Sequence, residues 1–463
     1  MGHDTGAAQR IMGEFPEFGE GVSLGEAIES LGAAGITTAH VGIFDLMGTF
    51  RERRLGLGDV ATVYEGGGTF VNVLPQWDAG EQVFGSGPFV GERVAVDPAS
   101  IRPYPFEDNA CLMVADYAGP SAALSPRRLL QHQIEKADAL GFGVRAALES
   151  EFYVLEEDAA TLRESGFSTL KPFALDNRCF AGESAATHAD FVASLGDTLS
   201  AGGLDLLALG VELGPGCFEA TLRHTTPLRA ADDHLVLKMF TKAFCRRRSL
   251  TASFMAQLGP GFQGLSQHPH VSLFDKATGK NLFVGQGEDG MSPLFQQFIA
   301  GMIALIPDAM ALTHHTPNSY RRHAPGNWAP KSASWARQNY SSAIRVVTTP
   351  DTHCRLEYRL PGADANPYLN LAYVLGAGLW GIETEAELGA EFTGGGPDEM
   401  PSDGTPLPHD LFVAADRLDR CDTAKTIWGD AFIRHFIAAI RHEEATLRRE
   451  TGAAERARYL EVV

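Results

Sequence analysis

Three short segments carry charged or imidazole side chains at alternate positions, the spacing of one face of a β-strand. They span residues 147–152, 267–272 and 355–359, with the sequences Ala-Leu-Glu-Ser-Glu-Phe, Gln-His-Pro-His-Val-Ser and Arg-Leu-Glu-Tyr-Arg. Carboxylates, imidazoles and guanidiniums are costly to bury on a shared face unless they pair or bind a metal or ligand. Three such strands in one chain therefore predict a charged cavity that holds cations and anions together.

The acidic and imidazole residues of these segments, together with two further glutamates, form a candidate set of metal ligands. The set is Glu149, Glu151, Glu212, Glu219, His268 and Glu357. Carboxylates with one imidazole suit Mg²⁺ or Mn²⁺ better than Zn²⁺, which favours cysteine and histidine. The set is too large for one Mg²⁺ that keeps several waters, and it suits two or three ions per site. Sites with several metal ions and carboxylates typically bind phosphate oxygens during phosphoryl transfer.

Four arginines supply the matching positive charge: Arg322, Arg345, Arg355 and Arg359. The guanidinium fork suits carboxylate and phosphate groups, and Arg359 is the strongest candidate because it shares a strand face with Glu357. The sequence contains no Gly-x-x-x-x-Gly-Lys-Ser/Thr loop and no protein-kinase motif set. If this site handles ATP, the sequence therefore predicts an architecture other than a P-loop or kinase fold.

The composition is that of a soluble protein with an ordinary core. The chain has 463 residues, 44% of them hydrophobic, and a formal net charge of −20. This charge disfavours binding to nucleic acid or to anionic membranes. No apolar run of about 18 residues is present, so no membrane span is predicted. The scattered cysteines include no Cys-x-x-Cys, which favours a cytoplasmic location.

The elements that must position these residues are predicted to form an α+β fold. Residues 1–118 read as a small strand-rich domain with a helix at 23–34 and a hairpin around Gly48. Residues 119–463 read as a larger domain, whose first helix is capped by Ser125 and begins at Pro126. A strand at 144–155 follows directly, and further helices are predicted near 186–200, 228–247, 293–313, 366–382 and 429–450. His314 and His315 follow a buried helix and are predicted to be structural.

Several segments resemble, in order, the motifs of the glutamine synthetase family. Residues 149–152 resemble Glu-x-Glu-Phe, and residues 212–219 resemble Glu-x-x-Pro-Gly-Gln-x-Glu. Residues 264–273 resemble Gly-x-Gly-x-His-x-His-x-Ser-Leu, and residues 318–330 resemble Asn-Ser-Tyr-Lys-Arg followed by Pro-Gly-x-x-Ala-Pro. The resemblance runs from about residue 125 to 385, whereas the N-terminal region matches more loosely.

The resemblance implies a small β-grasp N-terminal domain and a large catalytic domain, with a curved antiparallel sheet flanked by helices. It also implies a homo-oligomeric ring, usually of twelve subunits, with the sites between neighbours. By position, the first metal ion would be held by Glu151, Glu212 and Glu219. The second would be held by Glu149, His268 and Glu357. Glutamate would be bound by Arg322, Arg359 and the backbone of Gly264. Arg345 would face the phosphates of ATP, near His270, Ser272 and Arg355.

The reaction that the resemblance implies has two steps and takes ATP as a substrate. The γ-carboxylate of glutamate attacks the γ-phosphate of ATP and gives γ-glutamyl phosphate and ADP. An amine then attacks this acyl phosphate and releases phosphate. Metal ions and arginines, with Arg322, Arg345 and Arg359 as the candidate catalytic residues, would lower the repulsion between two anions in the first step.

The departures from the family pattern concern the amine. Ammonia-using members often carry Phe-Asp-Gly-Ser-Ser, but residues 67–73 read Gly-Gly-Thr-Phe-Val-Asn-Val. The flap of those members reads Pro-Gly-x-Glu-Ala-Pro, whereas residues 325–330 place Trp328 where the Glu would be. Tyr340 stands where Asn-Arg-Ser/Thr has its arginine, and Cys217 replaces the usual Gln between Glu212 and Glu219. Both acids on the ammonium side are therefore missing, while the candidate metal ligands remain.

These departures predict a γ-glutamyl-amide ligase that joins glutamate to an organic amine, with Trp328 and Tyr340 in the amine pocket. An aniline or a short alkylamine is the preferred substrate, because a pocket without acids disfavours a small cation. A polyamine would need acids near the mouth, which Asp78 and Glu81 could supply. The alternatives are an ammonia-dependent glutamine synthetase and a non-catalytic glutamate or nucleotide sensor. Trp328 could also simply cover the flap, and Tyr340 could be neutral packing.

Overall fold

The N-terminal part of the chain builds one mixed sheet with two helices. The computed structural model describes residues 15–19, 21–176, 178–349, 353–396, 398–400, 405–450 and 452–463. Before residue 120 the elements are α1 (Leu24–Ala33), β1 (Thr38–Phe44), β2 (Phe50–Gly56), α2 (Leu57–Tyr64), β3 (Thr69–Val71), β4 (Gly91–Val96), β5 (Arg102–Pro103) and β6 (Ala110–Tyr117).

The strands of this first sheet follow the order β2-β1-β6-β4-β3, and β5 pairs with β6. The β1–β6 pair is parallel, and the other pairs are antiparallel. Helix α1 is fixed at its start by a capping box between Ser23 and Glu26. The sheet and helices share an apolar core of their own, which includes Leu31, Val41 and Val60. The predicted helix and hairpin are confirmed, whereas α2 was missed; the boundary at residue 118 and the β-grasp assignment remain predictions.

The rest of the chain contributes the larger part of the fold. Its first elements are α3 (Pro126–Ala139), β7 (Phe142–Leu155), α4 (Ala159–Glu164), α5 (Gly182–Thr187), α6 (Ala189–Ala201), β8 (Leu206–Val211), β9 (Cys217–Leu222), α7 (Pro227–Arg246), β10 (Thr251–Ser253) and β11 (Gln267–Asp275). The remaining elements are α8 (Pro293–Ala309), α9 (Pro317–Arg321), β12 (Ser332–Ala333), β13 (Trp335–Arg337), β14 (Ile344–Val347), β15 (Arg355–Tyr358), α10 (Pro367–Glu383), β16 (Thr405–Pro406), α11 (Leu411–Arg420), α12 (Asp422–Trp428), α13 (Asp430–Leu447) and α14 (Gly452–Tyr459).

The second sheet has eight strands in the order β13-β14-β15-β11-β7-β9-β8, and β10 pairs with β7. Its pairs are antiparallel except for β13–β14, which is parallel, so the expected antiparallel sheet is confirmed with one parallel pair at its edge. The parallel pairing is possible because β13 has only three residues. At roughly 3.3–3.6 Å of reach per residue, the short connection to β14 is long enough to run back along β13. Gln338 begins that connection with a left-handed backbone, at φ 55°.

Helices cover the second sheet, and the predicted helices 228–247, 293–313, 366–382 and 429–450 are confirmed as α7, α8, α10 and α13. Helix α10 is buried along almost its whole length and packs on α8 and α3. The segment Pro293–Leu312, which contains α8, is apolar and long enough to cross a membrane, but 61% of its apolar window is buried. It serves here as a helix of the protein core.

A buried ion-pair network joins the N-terminal segment to the helices. The guanidinium of Arg127 donates two hydrogen bonds to Asp232, from Nε at 2.9 Å and from Nη2 at 2.8 Å. It also donates to Asp97 at 2.6 Å. Asp232 in turn accepts a hydrogen bond from the hydroxyl of Tyr368. One cation therefore links the loop after β4 to α3, α7 and α10.

Candidate active site

The register of four neighbouring strands brings the predicted metal ligands together. On β7, Glu151 lies opposite Glu219 of β9, and Glu149 lies opposite His268 of β11. Across the next pair, Glu357 of β15 lies opposite His270. Because alternate residues point to one face, the polar face predicted for each strand is the face on which these side chains meet.

Glu149, His268 and Glu357 are predicted to hold the second metal ion, and the imidazole of His268 lies close to both carboxylates. The Nδ1 atom of His268 lies 2.9 Å from Glu149 Oε1 and 3.5 Å from Glu357 Oε1. His270, predicted to lie near ATP, also approaches, with its Nε2 3.4 Å from Glu149 Oε2. Ligand atoms of Glu149, His270 and Glu357 all lie within 4.8 Å of one another. The geometry therefore brings both imidazoles, and not His268 alone, to this group of carboxylates.

The three residues predicted to hold the first metal ion lie on neighbouring elements: Glu151 on β7, Glu219 on β9 and Glu212 directly after β8. Glu151 Oε2 accepts a hydrogen bond from the backbone N–H of Ser266 at 2.6 Å. Glu212 Oε1 accepts one from the N–H of Leu213 at 2.8 Å and one from the thiol of Cys179 at 3.2 Å. Nothing in the sequence pointed to Cys179, because it lies 33 residues before Glu212 on a loop.

The charges of this cluster fit bound cations. Burial, followed by the charges of Glu149 and Glu151, raises the pKa of Glu219 to about 9. Burial raises the pKa of Glu151 to about 7. Burial also lowers the pKa of His268 to about 4, so its imidazole is neutral, as a metal ligand must be. Its Nε2 atom is buried without a partner among the described residues. Divalent ions would balance the charge of these buried carboxylates, and the neutral imidazole of His268 suits them as a ligand.

Three arginines lie beside this cluster, and we call them the arginine wall: Arg345, Arg355 and Arg359. Arg345 donates from Nη1 to Glu357 Oε2 at 2.7 Å, and Arg359 donates to the other oxygen of the same carboxylate. Although burial raises the pKa of Glu357, Arg359 and the nearby imidazoles hold that pKa at about 2. The Nε atom of Arg345 is buried without a described partner. Arg355 donates from Nε to Nδ1 of His270 at 3.2 Å.

Arg322 and Gly264 lie in contact beside this wall. Arg322 donates from Nη1 to the carbonyl of Leu360 at 2.9 Å, and its Nε is buried without a described partner. A Cβ atom at Gly264 would lie 2.8 Å from Cγ of Arg322, so only glycine fits there. The N–H of Gly264 donates to Oδ1 of Asn327 at 3.1 Å. Sequence reasoning missed Asn327, whose amide also donates to the carbonyl of Arg322 at 3.0 Å.

The two aromatic residues predicted for the amine pocket are both about half exposed, Trp328 at 51% and Tyr340 at 52%. Tyr340 lies on the arginine wall, because its ring centroid is 4.0 Å from Cζ of Arg345 and 5.1 Å from Cζ of Arg359. Its carbonyl accepts a hydrogen bond from Nε of Arg359 at 2.9 Å. Ser272 is on the same strand face as His268 and His270.

Asp78 and Glu81, considered above as acids for a polyamine, are engaged elsewhere. Asp78 is 3% exposed, and its Oδ2 lies 2.6 Å from Nη2 of Arg458 and 3.0 Å from Nε2 of His442. Glu81 pairs with Arg51. A separate cavity of about 480 Å³ lies between the β1–β2 turn, α7 and the segment ending at Val463, and none of the predicted site residues lines it.

Comparison with known proteins agrees with this geometry. Residues 123–459 match the family model described as glutamine synthetase, catalytic domain. A glutamate–isopropylamine ligase of a Pseudomonas species is 29% identical over 440 residues, covering 92% of this chain and 96% of that protein. Type-1 glutamine synthetase 2 of Dictyostelium discoideum is 30% identical over 434 residues, covering 90% of this chain and 82% of that protein. A solved GmaS/ADP complex superimposes with a TM-score of 0.80 at 25% identity, covering 93% of this chain and 98% of that one.

The chain therefore belongs to the glutamine synthetase family, as the ordered motifs predicted. It is a ligase that forms a carbon–nitrogen bond. Members of this family use ATP and divalent metal ions, and the carboxylate and imidazole cluster on β7, β9, β11 and β15 suits such ions.

Proposed function

We propose that this protein joins the γ-carboxylate of glutamate to an organic amine, with ATP converted to ADP and phosphate. The observation that carries the proposal is Trp328. This half-exposed indole lies in the flap, at the position where the resemblance gives ammonia-using members a glutamate. An indole cannot take a proton from an ammonium ion, but it can pack against an apolar amine substituent.

The arginines in and beside the arginine wall support binding of the two anionic substrates. Arg322 and Arg345 each have a buried Nε–H without a described partner, and these donors suit a carboxylate and a phosphate. Since the N–H of Gly264 is used by Asn327, we assign to the Gly264 carbonyl the contact with the ammonium group of glutamate. Divalent ions, when bound to the carboxylate cluster, supply positive charge to the phosphate oxygens.

The chain's own groups would then perform three tasks. Arg345, held by Glu357, places its guanidinium on the side proposed for the transferring phosphoryl group. Arg322, Arg359 and Gly264 would hold the glutamate in line for attack on the γ-phosphate. Arg355 and His270, linked by a hydrogen bond at 3.2 Å, lie on the side proposed for ATP together with Ser272.

The charges around the site support an amine of low charge. Asp78 is buried in an ion pair with Arg458, so it is not free to bind the second ammonium group of a polyamine, and Glu81 pairs with Arg51. An aniline is mostly neutral at pH 7 and needs no base to expose its lone pair. A short alkylamine is the second candidate of this class, and the similarity to a glutamate–isopropylamine ligase supports it.

We further propose that the enzyme acts in the cytoplasm as a homo-oligomeric ring, of twelve subunits by analogy with the family, with its sites between neighbours. Size-exclusion chromatography with light scattering tests the ring. A monomer that is active at nanomolar concentration would contradict sites that need two subunits.

Phosphate release tests the proposed reaction. The protein is incubated with ATP, glutamate and Mg²⁺ or Mn²⁺, across a panel of ammonia, ethylamine, isopropylamine, ethanolamine, putrescine and aniline, and products are identified by mass. We expect turnover with an organic amine to exceed turnover with ammonia. Highest turnover with ammonia would identify an ammonia-dependent glutamine synthetase. No turnover with any amine would favour the sensor.

A further inference from the structure

Two histidines of the segment that leads into the flap are hydrogen-bonded to each other. The Nε2 atoms of His314 and His323 lie 2.9 Å apart, and we call these two residues the imidazole pair. On one side, Nδ1 of His314 lies 2.9 Å from the hydroxyl of Thr313. On the other side, Nδ1 of His323 lies 3.1 Å from the carbonyl of Pro330, the last residue of the flap. The pair thus connects the buried end of α8 to the far end of the flap.

The Pro330 carbonyl determines which ring nitrogens of the imidazole pair carry protons. A carbonyl oxygen only accepts, so Nδ1 of His323 must carry its proton. In a neutral imidazole the other nitrogen then accepts, so His314 donates from Nε2. Nδ1 of His314 is left as an acceptor 2.9 Å from the hydroxyl of Thr313, whose oxygen also lies 3.1 Å from the carbonyl of Met310. One direction of hydrogen bonding therefore runs from His314 through His323 to Pro330.

The surroundings keep both rings neutral, which the chain of bonds requires. His314 is fully buried, and burial together with His323 and Arg322 lowers its pKa well below the usual value. Burial and the charge of Arg322 lower the pKa of His323 to about 3. A proton on Nε2 of His323 would place two N–H groups against each other, and a proton on Nδ1 of His314 would remove the acceptor that faces the hydroxyl of Thr313. Because both pKa values are low, the bond persists at neutral pH.

The flap is held by other contacts besides the bond from His323 to the Pro330 carbonyl. Asn327 fixes the inner side of the flap through Gly264 and Arg322. Asp398 accepts from the N–H of Gly326 at 3.0 Å, but its side chain is 45% exposed, so water competes for that contact. Among the described hydrogen bonds, the bond from His323 is the one that holds the Pro330 carbonyl. Trp328 lies between these attachments.

We propose that His314 and His323 are positioning residues that hold the flap in place and thereby set the position of Trp328 relative to the amine. Neither histidine acts on the reacting atoms. His323 holds the flap directly, and His314 holds His323 in the tautomer that donates to Pro330. The effect on amine choice rests on the proposed function, whereas the effect on the flap does not.

Amide variants can separate this role from simple packing. The Asn side-chain amide lies near the place of the histidine Nδ1, and the Gln amide reaches the place of Nε2. At position 323 the donor to Pro330 is Nδ1, so His323→Asn keeps it and His323→Gln loses it. At position 314 the donor is Nε2, so His314→Gln keeps it and His314→Asn loses it. The hypothesis therefore requires opposite preferences at the two positions, which a requirement for volume or polarity alone would not produce.

Two readouts on the full-length protein test this pattern. Hydrogen–deuterium exchange of a peptide covering residues 325–330 is measured without substrates. We expect His323→Gln and His314→Asn to exchange roughly two- to tenfold faster than the wild type, the factor given by one lost hydrogen bond. His323→Asn and His314→Gln should exchange at rates close to that of the wild type. Asp398→Asn, which changes the exposed contact with Gly326, is the control. In steady-state assays, the first two variants should raise the KM for the amine by a similar factor. The KM for glutamate and the KM for ATP should change less.

The outcomes separate this inference from the proposed function. The opposite preferences in exchange support the inference even if the enzyme proves to use ammonia. Equal exchange in all four variants overturns it, even if an organic amine is the substrate. If one variant at position 323 fails to fold, the two variants at position 314 give the same comparison.

Discussion

The ring of Tyr340 lies over the guanidinium of Arg345, with 4.0 Å between the ring centroid and Cζ. The same ring is 5.1 Å from Cζ of Arg359. A tyrosine therefore stands against Arg345, predicted to face the phosphates, and against Arg359, predicted to bind glutamate, at the position where the family pattern has an arginine of its own. Tyrosine in place of that arginine adds an aromatic face to the site and removes one positive charge from it.

We expect Tyr340→Leu to raise the KM for ATP roughly two- to fivefold, because an exposed cation–π contact contributes about 0.5–1 kcal/mol. Tyr340→Phe keeps the ring and should leave this KM unchanged. Initial rates at varied ATP and varied amine provide the measurement. A rise in the KM for the amine alone would place Tyr340 in the amine pocket and not on the arginine wall.

Trp328→Glu should restore use of ammonia, since a positioned base contributes about 10²–10⁴-fold to proton transfer. We expect turnover with ammonia to rise by roughly tenfold or more and turnover with a bulky amine to fall. Trp328→Phe is the matched control, because it keeps an aromatic surface without adding an acid. Unchanged amine preference in Trp328→Glu would show that Trp328 is not a pocket residue.

Metal removal should destabilise the protein more at high pH. Burial and neighbouring carboxylates raise the pKa of Glu219 from its usual 4.5 to about 9. A raised pKa gives stability that is complete below the pKa of the unfolded chain and is lost as pH rises toward 9. A divalent ion replaces the missing proton, so it should stabilise the fold most at alkaline pH.

The corresponding measurement is the difference in Tm between Mg²⁺-loaded and EDTA-treated protein at about pH 6.5 and pH 8.5. We expect the difference to be larger at the higher pH, and smaller in Glu219→Gln than in the wild type. A difference that does not depend on pH would mean that Glu219 is not protonated in the metal-free protein.

Loss of the buried cation Arg127 should cost far more stability than loss of an exposed one. Arg127→Met leaves Asp232 buried without its ion pair, at an expected cost of about 3–5 kcal/mol in the free energy of unfolding. The control Arg434→Met removes an exposed i,i+4 pair with Asp430 and should cost under about 1 kcal/mol. Urea denaturation measures both, and equal values would show that the Arg127 network does not stabilise the contact between the loop after β4 and the helices.

Local sequence patterns predicted the parts of the site that lie on strands. Glu149 and Glu151 alternate along β7, and the alternation alone placed both on one face. The start of α3 was also predicted from the sequence, because Ser125 and Pro126 have the residue types that begin helices. These signals lie within a few residues of each other, so they can be found without knowledge of the fold.

Features that join distant segments could not be predicted in this way. Asp78 reads as a free acid in the sequence, but the fold brings it to Arg458, 380 residues later. His314 was predicted to be structural together with His315, but its bond to His323 and the link from His323 to Pro330 depend on how the chain turns back after α9. The helix α2 was missed because its small residues and the flanking glycines suggested a loop.

The candidate metal ligands are carried on paired strands or directly beside one, whereas Trp328 is carried on the flap, outside these strands. Its indole is half exposed, so a change at this position leaves the strand register of the metal ligands unaltered. A laboratory library confined to position 328 would therefore explore new amine partners while leaving unchanged Asn327, which holds Arg322, and Tyr340, which contacts Arg345 and Arg359.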